Sequence, residues 1–294
     1  MSREASRFLV VGADGLVGAS LTARLQAAGE YVTGTTRRKP GEAAANRVQL
    51  DLANQGATTL PAGFSVAFLC AAITGMAACE DDPAHTRRVN VDNTVALARR
   101  LLAAGTRIVF LSSNTVFDGT VAWPDEHAAR SPANEYGRQK AAAEQALLSL
   151  STPATPVAVV RLSKVLTPFS GMAAEFVRRL RAGEQCTAFD DLRLSPISLD
   201  YAANALLAAA NSRAAGVFHV GGAEEMSYAD FARRLATGLR AEPALVRPLS
   251  AVASGVRVTF RPAHPGLGMP RTQAQLGIAP EPTAQLMAEL AAKE

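Results

Sequence analysis

Lysine is almost missing from this chain. Of its 30 basic residues only Lys39, Lys140, Lys164 and Lys293 are lysine, and the rest are arginine. Cysteine is equally scarce: Cys70, Cys79 and Cys186 show no CxxC or metal-ligand spacing, and their odd number leaves at least one thiol unpaired within the chain. A disulfide scaffold and a cysteine-held metal are therefore excluded, and the three thiols read as small buried apolar groups. No apolar run approaches the ~20 residues of a membrane helix, since the longest cover 64–73 and 157–160. The first seven residues are too polar for a signal peptide, so a cytoplasmic location is the default expectation. No basic block is present either. The net charge of +4 comes from 30 basic and 26 acidic residues spread along the chain, which does not argue for a nucleic-acid partner.

With 48% apolar residues in 294, the chain is able to bury a large core. Short β-branched runs at 8–11, 31–35, 48–50, 66–70, 108–112 and 157–161, with a seventh at 217–220, alternate with segments of helical period at 16–28, 86–104 and 136–150. That alternation predicts an α/β fold with an open, doubly wound parallel sheet. After residue 161 the regularity breaks. Segments 163–171 and 183–197 read as loop and short strand, 199–210 and 228–239 resume helical patterning, and a last helix is expected near 283–292. The expected division is a dinucleotide-binding domain over 1–164, completed by about 199–221, and a smaller substrate-binding lobe built from 165–198 and 222–294.

The stretch Gly12-Ala13-Asp14-Gly15-Leu16-Val17-Gly18 follows the first strand and opens the first helix. Glycine spacing has a mechanism in that context. The first glycines allow a tight turn and close approach of backbone to phosphate, the third lets helix pack on strand, and the helix N-terminal amides face a pyrophosphate. This marks a Rossmann-type nucleotide site. Folds of this type that prefer NAD place a carboxylate at the end of the second strand. Here that place reads Gly34-Thr35-Thr36-Arg37-Arg38-Lys39, and two guanidinium groups suit a 2′-phosphate. NADP(H) is the expected cofactor, with NAD(H) the alternative. Asp51 and Leu52, after the third strand, are expected beside the adenine, and Ala71 with Ala72, after the fourth, leave room for the dinucleotide.

Ser113 follows the fifth strand, and Tyr136-Gly137-Arg138-Gln139-Lys140 opens the next helix. A Tyr and a Lys at i and i+4 share one helix face, so an ammonium stands near the phenol and stabilises its ionised form. The expected catalytic group is Tyr136 as proton donor or acceptor, Lys140 as its electrostatic partner and Ser113 as hydrogen-bond donor to the reacting oxygen. Four tyrosines and a lysine frequency of 4 in 294 predict only about 0.05 such pairs by chance.

Together these segments resemble the extended short-chain dehydrogenases, and within them the dTDP-4-dehydrorhamnose reductase branch. The resemblance rests on Gly12 to Gly18, Cys70-Ala71-Ala72-Ile73-Thr74, Ser112-Ser113-Asn114-Thr115-Val116-Phe117-Asp118-Gly119, Tyr136 to Lys140, and Arg261-Pro262 before Leu276-Gly277. It implies a two-lobed enzyme that reduces the C4 ketone of a nucleotide-linked deoxysugar, its smaller lobe gripping the nucleotide diphosphate. It also implies substrate contacts from Thr74, Asn114, Val116 and Phe117, with Arg193 and Arg261 for the diphosphate. Asn90 matches a position where the superfamily steadies the active-site backbone or a water beside the cofactor. No metal is implied, and a homodimer through the helices at 86–104 and 136–150 is the expected assembly. Where the branch usually shows Thr-Asp-Tyr this chain has Ser113-Asn114-Thr115. A tryptophan usual after the sixth strand's arginine is Lys164 here, so the resemblance leaves open a different sugar nucleotide or another substrate. Two alternatives stand beside the reductase: an NAD(P)-dependent sugar-nucleotide epimerase, and a non-catalytic NADP-binding regulatory subunit. A dehydratase is disfavoured, because Asn114-Thr115 supplies no carboxylate.

Overall fold

In the computed structural model, which describes residues 6–38, 46–54 and 60–292, seven strands form the central sheet. They are β1 (Arg7–Val11), β2 (Tyr31–Thr36), β3 (Arg47–Gln49), β4 (Val66–Leu69), β5 (Arg107–Ser113), β6 (Val157–Leu162) and β7 (Gly216–Val220), in the order β7-β6-β5-β4-β1-β2-β3. Every expected strand is present, displaced by no more than one residue at either end. Neighbours β1·β2, β1·β4, β2·β3 and β4·β5 run parallel, with Leu9 between Thr33 and Ala67. Strands covered on both faces lose the alternation of apolar and polar residues, and β4 and β6 are buried throughout. Strand order reverses between β1 and β4, and a crevice at such a point is where open α/β sheets take their ligands.

The chain divides into two compact units. The first holds Met1–Val116, Arg130–Arg161 and Ala203–Phe218, and the second Phe117–Ala129, Leu162–Ala202 and His219–Glu294. In the first, Leu9, Ala67, Leu69, Leu97, Ile108, Phe110, Leu147 and Val159 share one core under the helices Thr94–Ala103 and Glu135–Leu148. The second packs the helices Gly171–Arg181, Tyr228–Gly238 and Thr283–Ala292 around Phe176, Leu180, Phe231, Leu235, Leu286 and Leu290. Its parallel strand pairs are Cys186–Phe189 with Val246–Leu249 and Lys164–Leu166 with Pro196–Ser198.

One segment departs from the expected division. Residues 117–129 lie between two stretches of the first unit in sequence but fold with the second. His264 N donates to Gly119 O and Gly268 N to Pro124 O, both at 2.9 Å. The buried Glu126 carboxylate also accepts from Thr272 N at 2.8 Å and Thr272 Oγ1 at 2.9 Å. Three helices were not expected. Met76–Asp81 and Pro270–Leu276 are too short to display a helical period. Gly171–Arg181 does display one, in the buried stripe Ala173, Phe176, Val177 and Leu180, so its signal was legible.

Candidate active site

The glycine-rich turn shows why each of its glycines is there. Gly12 has φ +85°, and a Cβ on it would stand 2.7 Å from Ala71 N, so the first strand's turn lies directly against the backbone that leaves β4. A Cβ on Gly18 would collide with the Gly12 carbonyl, which seats the helix Leu16–Ala27 on the turn. Gly15 caps that helix with no side-chain hydrogen bond and no acidic residue in the first turn, leaving the N-terminal amides for an anion. Asp14, Gly15 and Leu16 are exposed at this turn, Val17 is half-buried, and half-buried Ala71 lies against Gly12, followed by Ala72, also half-buried. Bare amides, an absent Cβ and a switch-point position fit a dinucleotide pyrophosphate.

At the end of β2, Arg37 and Arg38 are both exposed, and Gln49 Nε2 donates to Arg37 O at 3.4 Å. The neighbouring Lys39 lies outside the described residues. Sequence reasoning missed a third guanidinium here. Arg47, which opens β3 in register with Gly34, lays its side chain where a Gly34 Cβ would be, 3.6 Å from Asp14 Oδ1. Its Nη1 is buried without a hydrogen bond. The available signal was the pairing of Gly34 with a long basic residue, which needs strand register to be seen. Asp51 turns its carboxylate on its own loop, accepting from Ala53 N at 2.9 Å. Leu52 is buried in the core, so its side chain is packing, while its carbonyl accepts from Asn93 Nδ2 at 2.6 Å.

The helix that carries Tyr136 seats on the turn after Ser113 because one residue is glycine. A Cβ on Gly137 would overlap the Thr115 carbonyl, so the first turn of the helix Glu135–Leu148 rests directly on the short 3-10 turn Asn114–Val116 that follows Ser113. Asn134 caps the helix by accepting from Gly137 N at 2.8 Å. Ser113 Oγ accepts from Thr115 N at 3.2 Å and lies 3.4 Å from Asn114 Oδ1, to which it donates. Tyr136 is nearly buried, and that burial raises its pKa, with Cys79 adding a smaller push in the same direction. Lys140 Nζ donates to Leu111 O at 2.8 Å and stands 4.6 Å above the Phe110 ring and 5.8 Å from the centre of the Tyr136 ring. Burial brings the Lys140 pKa down to about 8, opposed by the nearby Cys70, Glu144 and Cys79.

Two buried networks hold this group. Asn90 lies in a wide turn, Arg88–Asn93, inside the helical stretch between β4 and β5, a geometry that recurs at functional sites. Its carboxamide accepts from Ile73 N at 2.8 Å and donates to Ile73 O at 3.0 Å and to Gln139 Oε1 at 2.8 Å. The amide thus clamps the backbone beyond β4 and ties it to the residue before Lys140. The second network was not anticipated. Glu144, one turn beyond Lys140 and fully buried, takes Ser112 Oγ at 2.5 Å, Arg161 Nε at 2.9 Å and Arg161 Nη2 at 2.7 Å, with Arg130 3.5 Å away.

The residues expected to face substrate divide between the units. Thr74 is exposed and Asn114 half-buried in the first; Val116, also there, is fully buried. Phe117 is buried in the second unit, edge-on to His219 with ring centres 5.8 Å apart. Arg193 and Arg261 also belong to the second unit, each about half exposed. Arg193 Nη2 is 3.8 Å from Glu225 Oε2 and Arg261 Nη2 is 3.5 Å from Asp191 Oδ2. Among the described residues no cluster of His, Cys, Asp and Glu is arranged to hold a metal, and no helix is long and apolar enough to cross a membrane.

Comparison with known proteins agrees with this geometry. The family model described as RmlD substrate binding domain matches residues 6–294. A dTDP-4-keto-6-deoxy-D-glucose reductase of Streptomyces niveus is 31% identical over 269 residues, covering 89% of this chain and 88% of that protein. A dTDP-4-dehydrorhamnose reductase of Mycobacterium tuberculosis is 31% identical over 265 residues, covering 85% and 81%. The crystal structure of the Bacillus anthracis dTDP-4-dehydrorhamnose reductase in complex with NADP shares the fold at a TM-score of 0.81, with 19% identity, 97% of this chain and 98% of that one.

Proposed function

Since the chain belongs to the RmlD substrate-binding-domain family, the dTDP-4-dehydrorhamnose-reductase-like branch of the extended short-chain dehydrogenases, we propose that it reduces the C4 ketone of a nucleotide-linked deoxysugar with NADPH. The observation that carries this reading is the Gly137 contact, which sets Tyr136 beside the Ser113 turn at the end of β5. The glycine-rich turn would hold the dinucleotide, which when bound supplies the hydride.

The chain's own residues handle the oxygen and its proton. Ser113 Oγ donates a hydrogen bond to the ketone oxygen and polarises the carbonyl. Tyr136, its pKa raised by burial, keeps its proton at neutral pH and delivers it to the alkoxide oxygen, which is far more basic than a phenolate. Lys140 keeps a positive charge beneath the phenol at neutral pH, stabilising the phenolate left behind until water restores the proton. A donor that stays protonated suits reduction better than oxidation. Arg37 and Arg38, just past β2, and Arg47, which opens β3 beside Gly34, supply the positive charge that supports NADPH over NADH.

Tyr136→Phe tests the reading. It keeps the packed ring and deletes only the hydroxyl, so melting temperature and NADPH binding should persist, while kcat for 4-keto nucleotide sugars falls roughly 10²- to 10⁴-fold. Turnover within a few-fold of the unmodified enzyme would remove Tyr136 as the acid.

A further inference from the structure

The chain has one tryptophan, and its backbone conformation is unfavourable. Trp123 has φ +49°, in the left-handed region that a bulky residue rarely occupies, and it precedes Pro124, which narrows its choices further. Such conformations persist where the surroundings enforce them, and they concentrate at ligand clamps and active sites. Here the enforcement is visible within the second unit. A Cβ on Gly266 would stand 2.6 Å from the indole Cζ3, and a Cβ on Gly268 would stand 2.6 Å from the Trp123 carbonyl. Two glycines therefore make room for this residue. The indole lies on the Gly266 backbone yet is 39% exposed, so part of a large aromatic surface faces outward instead of joining a core.

Around it stands a prepared polar set. The Glu225 carboxylate, itself 7% exposed, accepts from Gly266 N at 2.7 Å, lies 3.2 Å from His264 Nδ1 and 3.8 Å from Arg193 Nη2. Arg193 also donates to the Glu225 carbonyl at 3.5 Å. A nearly buried acid thus fixes an imidazole and a guanidinium, both substantially exposed, next to an indole face. An aromatic plane beside two fixed donors matches a flat heterocycle joined to a polyanion.

We propose that Trp123 is a stacking platform for the nucleobase of the substrate, with Glu225 positioning His264 and Arg193 beside it. This rests on the reading of the substrate as a nucleotide-linked sugar, whose diphosphate the family resemblance already assigns to the smaller lobe and Arg193, and it adds the surface that takes the base and the acid that fixes the donors. The segment bearing Trp123 is bracketed in sequence by Ser113 and Tyr136, so base recognition and the catalytic group are covalent neighbours.

The single tryptophan makes the test direct. The full chain, with saturating NADP⁺ to occupy the glycine-rich turn, is titrated with thymidine diphosphate and uridine diphosphate while tryptophan emission is followed at an excitation of about 295 nm. A saturable change in emission is expected, with calorimetry giving the same affinity. Trp123→Ala should weaken nucleoside diphosphate binding roughly tenfold, the scale of one lost base–aromatic stack, with NADPH affinity unchanged. Trp123→Phe should keep most of it. Arg193→Met should weaken the diphosphate about tenfold and leave the nucleoside alone untouched. Calorimetric binding without any change in wild-type emission, or an unaltered affinity in a folded Ala variant, overturns the platform and leaves the sugar-nucleotide reading intact. The emission titration of the wild type decides this even if the Ala variant fails to fold. If neither nucleoside diphosphate binds at all, the sugar-nucleotide reading itself falls, and the platform with it.

Discussion

Removing the carboxylate of Glu144 should unseat the catalytic group without touching it. That side chain has no solvent exposure and its partner Arg161 is 3% exposed, so Glu144→Ala takes from a buried guanidinium the carboxylate that holds it by two nitrogens and deprives Ser112 of its acceptor. Breaking a buried pair by deleting one partner costs about 3–5 kcal/mol, against a median of about 0–1 kcal/mol for exposed pairs. At roughly 2–4 °C per kcal/mol for a protein of this size, the melting temperature should fall by about 10 °C. Replacing both partners together, Glu144→Leu with Arg161→Met, removes the unpaired charge as well as the attraction. The double variant should therefore recover most of the loss, and the two single effects will not add. Thermal melts and urea unfolding of the wild type, Glu144→Leu, Arg161→Met and the double variant measure the coupling, with Glu144→Ala melted beside them. Ser112 adjoins Ser113, and Lys140 lies one helical turn from Glu144, so turnover of Glu144→Ala should fall even at temperatures where it is folded. A Glu144→Ala protein within 1 kcal/mol of wild type, or additive single effects, would refute the reasoning.

Four further outcomes follow from the site. Arg37→Ala and Arg47→Ala should each weaken NADPH by roughly tenfold and leave NADH nearly unchanged, because only the former has a 2′-phosphate to lose; equal wild-type affinities for the two cofactors, measured by fluorescence titration, would count against both. The free-enzyme profile of kcat/KM for reduction should be level below pH about 8 and fall above it as Lys140 loses its charge; a profile flat to pH 10 would contradict this. The same shift affects stability with the opposite sign. A lysine that deprotonates more easily folded than unfolded makes the fold gain stability as pH rises from about 8 toward the unfolded value of roughly 10.4. Gly18→Ala should push the first helix off the Gly12 carbonyl, costing about 1–3 kcal/mol and weakening both cofactors alike, as isothermal titration would show.

Much of the fold was legible before any coordinates. The seven strands announce themselves because β-branched runs bounded by turns have few other uses, and strand order is then restricted by right-handed crossovers. The glycines at 12, 15 and 18 and the Tyr136–Lys140 pair were legible for the same kind of reason: each is a local device whose spacing along one turn or one helix face is its mechanism. What lay beyond local spacing was not legible. Arg47 acts over Gly34 only because β2 and β3 pair in that register, and Glu144 meets Arg161 only because a helix packs across β6. Residues 117–129 fold with 262–272, about 140 residues away, through backbone hydrogen bonds and one buried carboxylate, Glu126 on Thr272, whose pairing no local spacing announces. Sequence by itself determined the sheet, the glycine-rich turn and the Tyr136–Lys140 pair on one helix face, because those depend on periods of two and 3.6 residues and on glycine's missing side chain. Only the tertiary structure decided which buried charges back the helix of Tyr136 and Lys140 and where the lone tryptophan stands, because both are set by contacts between segments far apart in the chain.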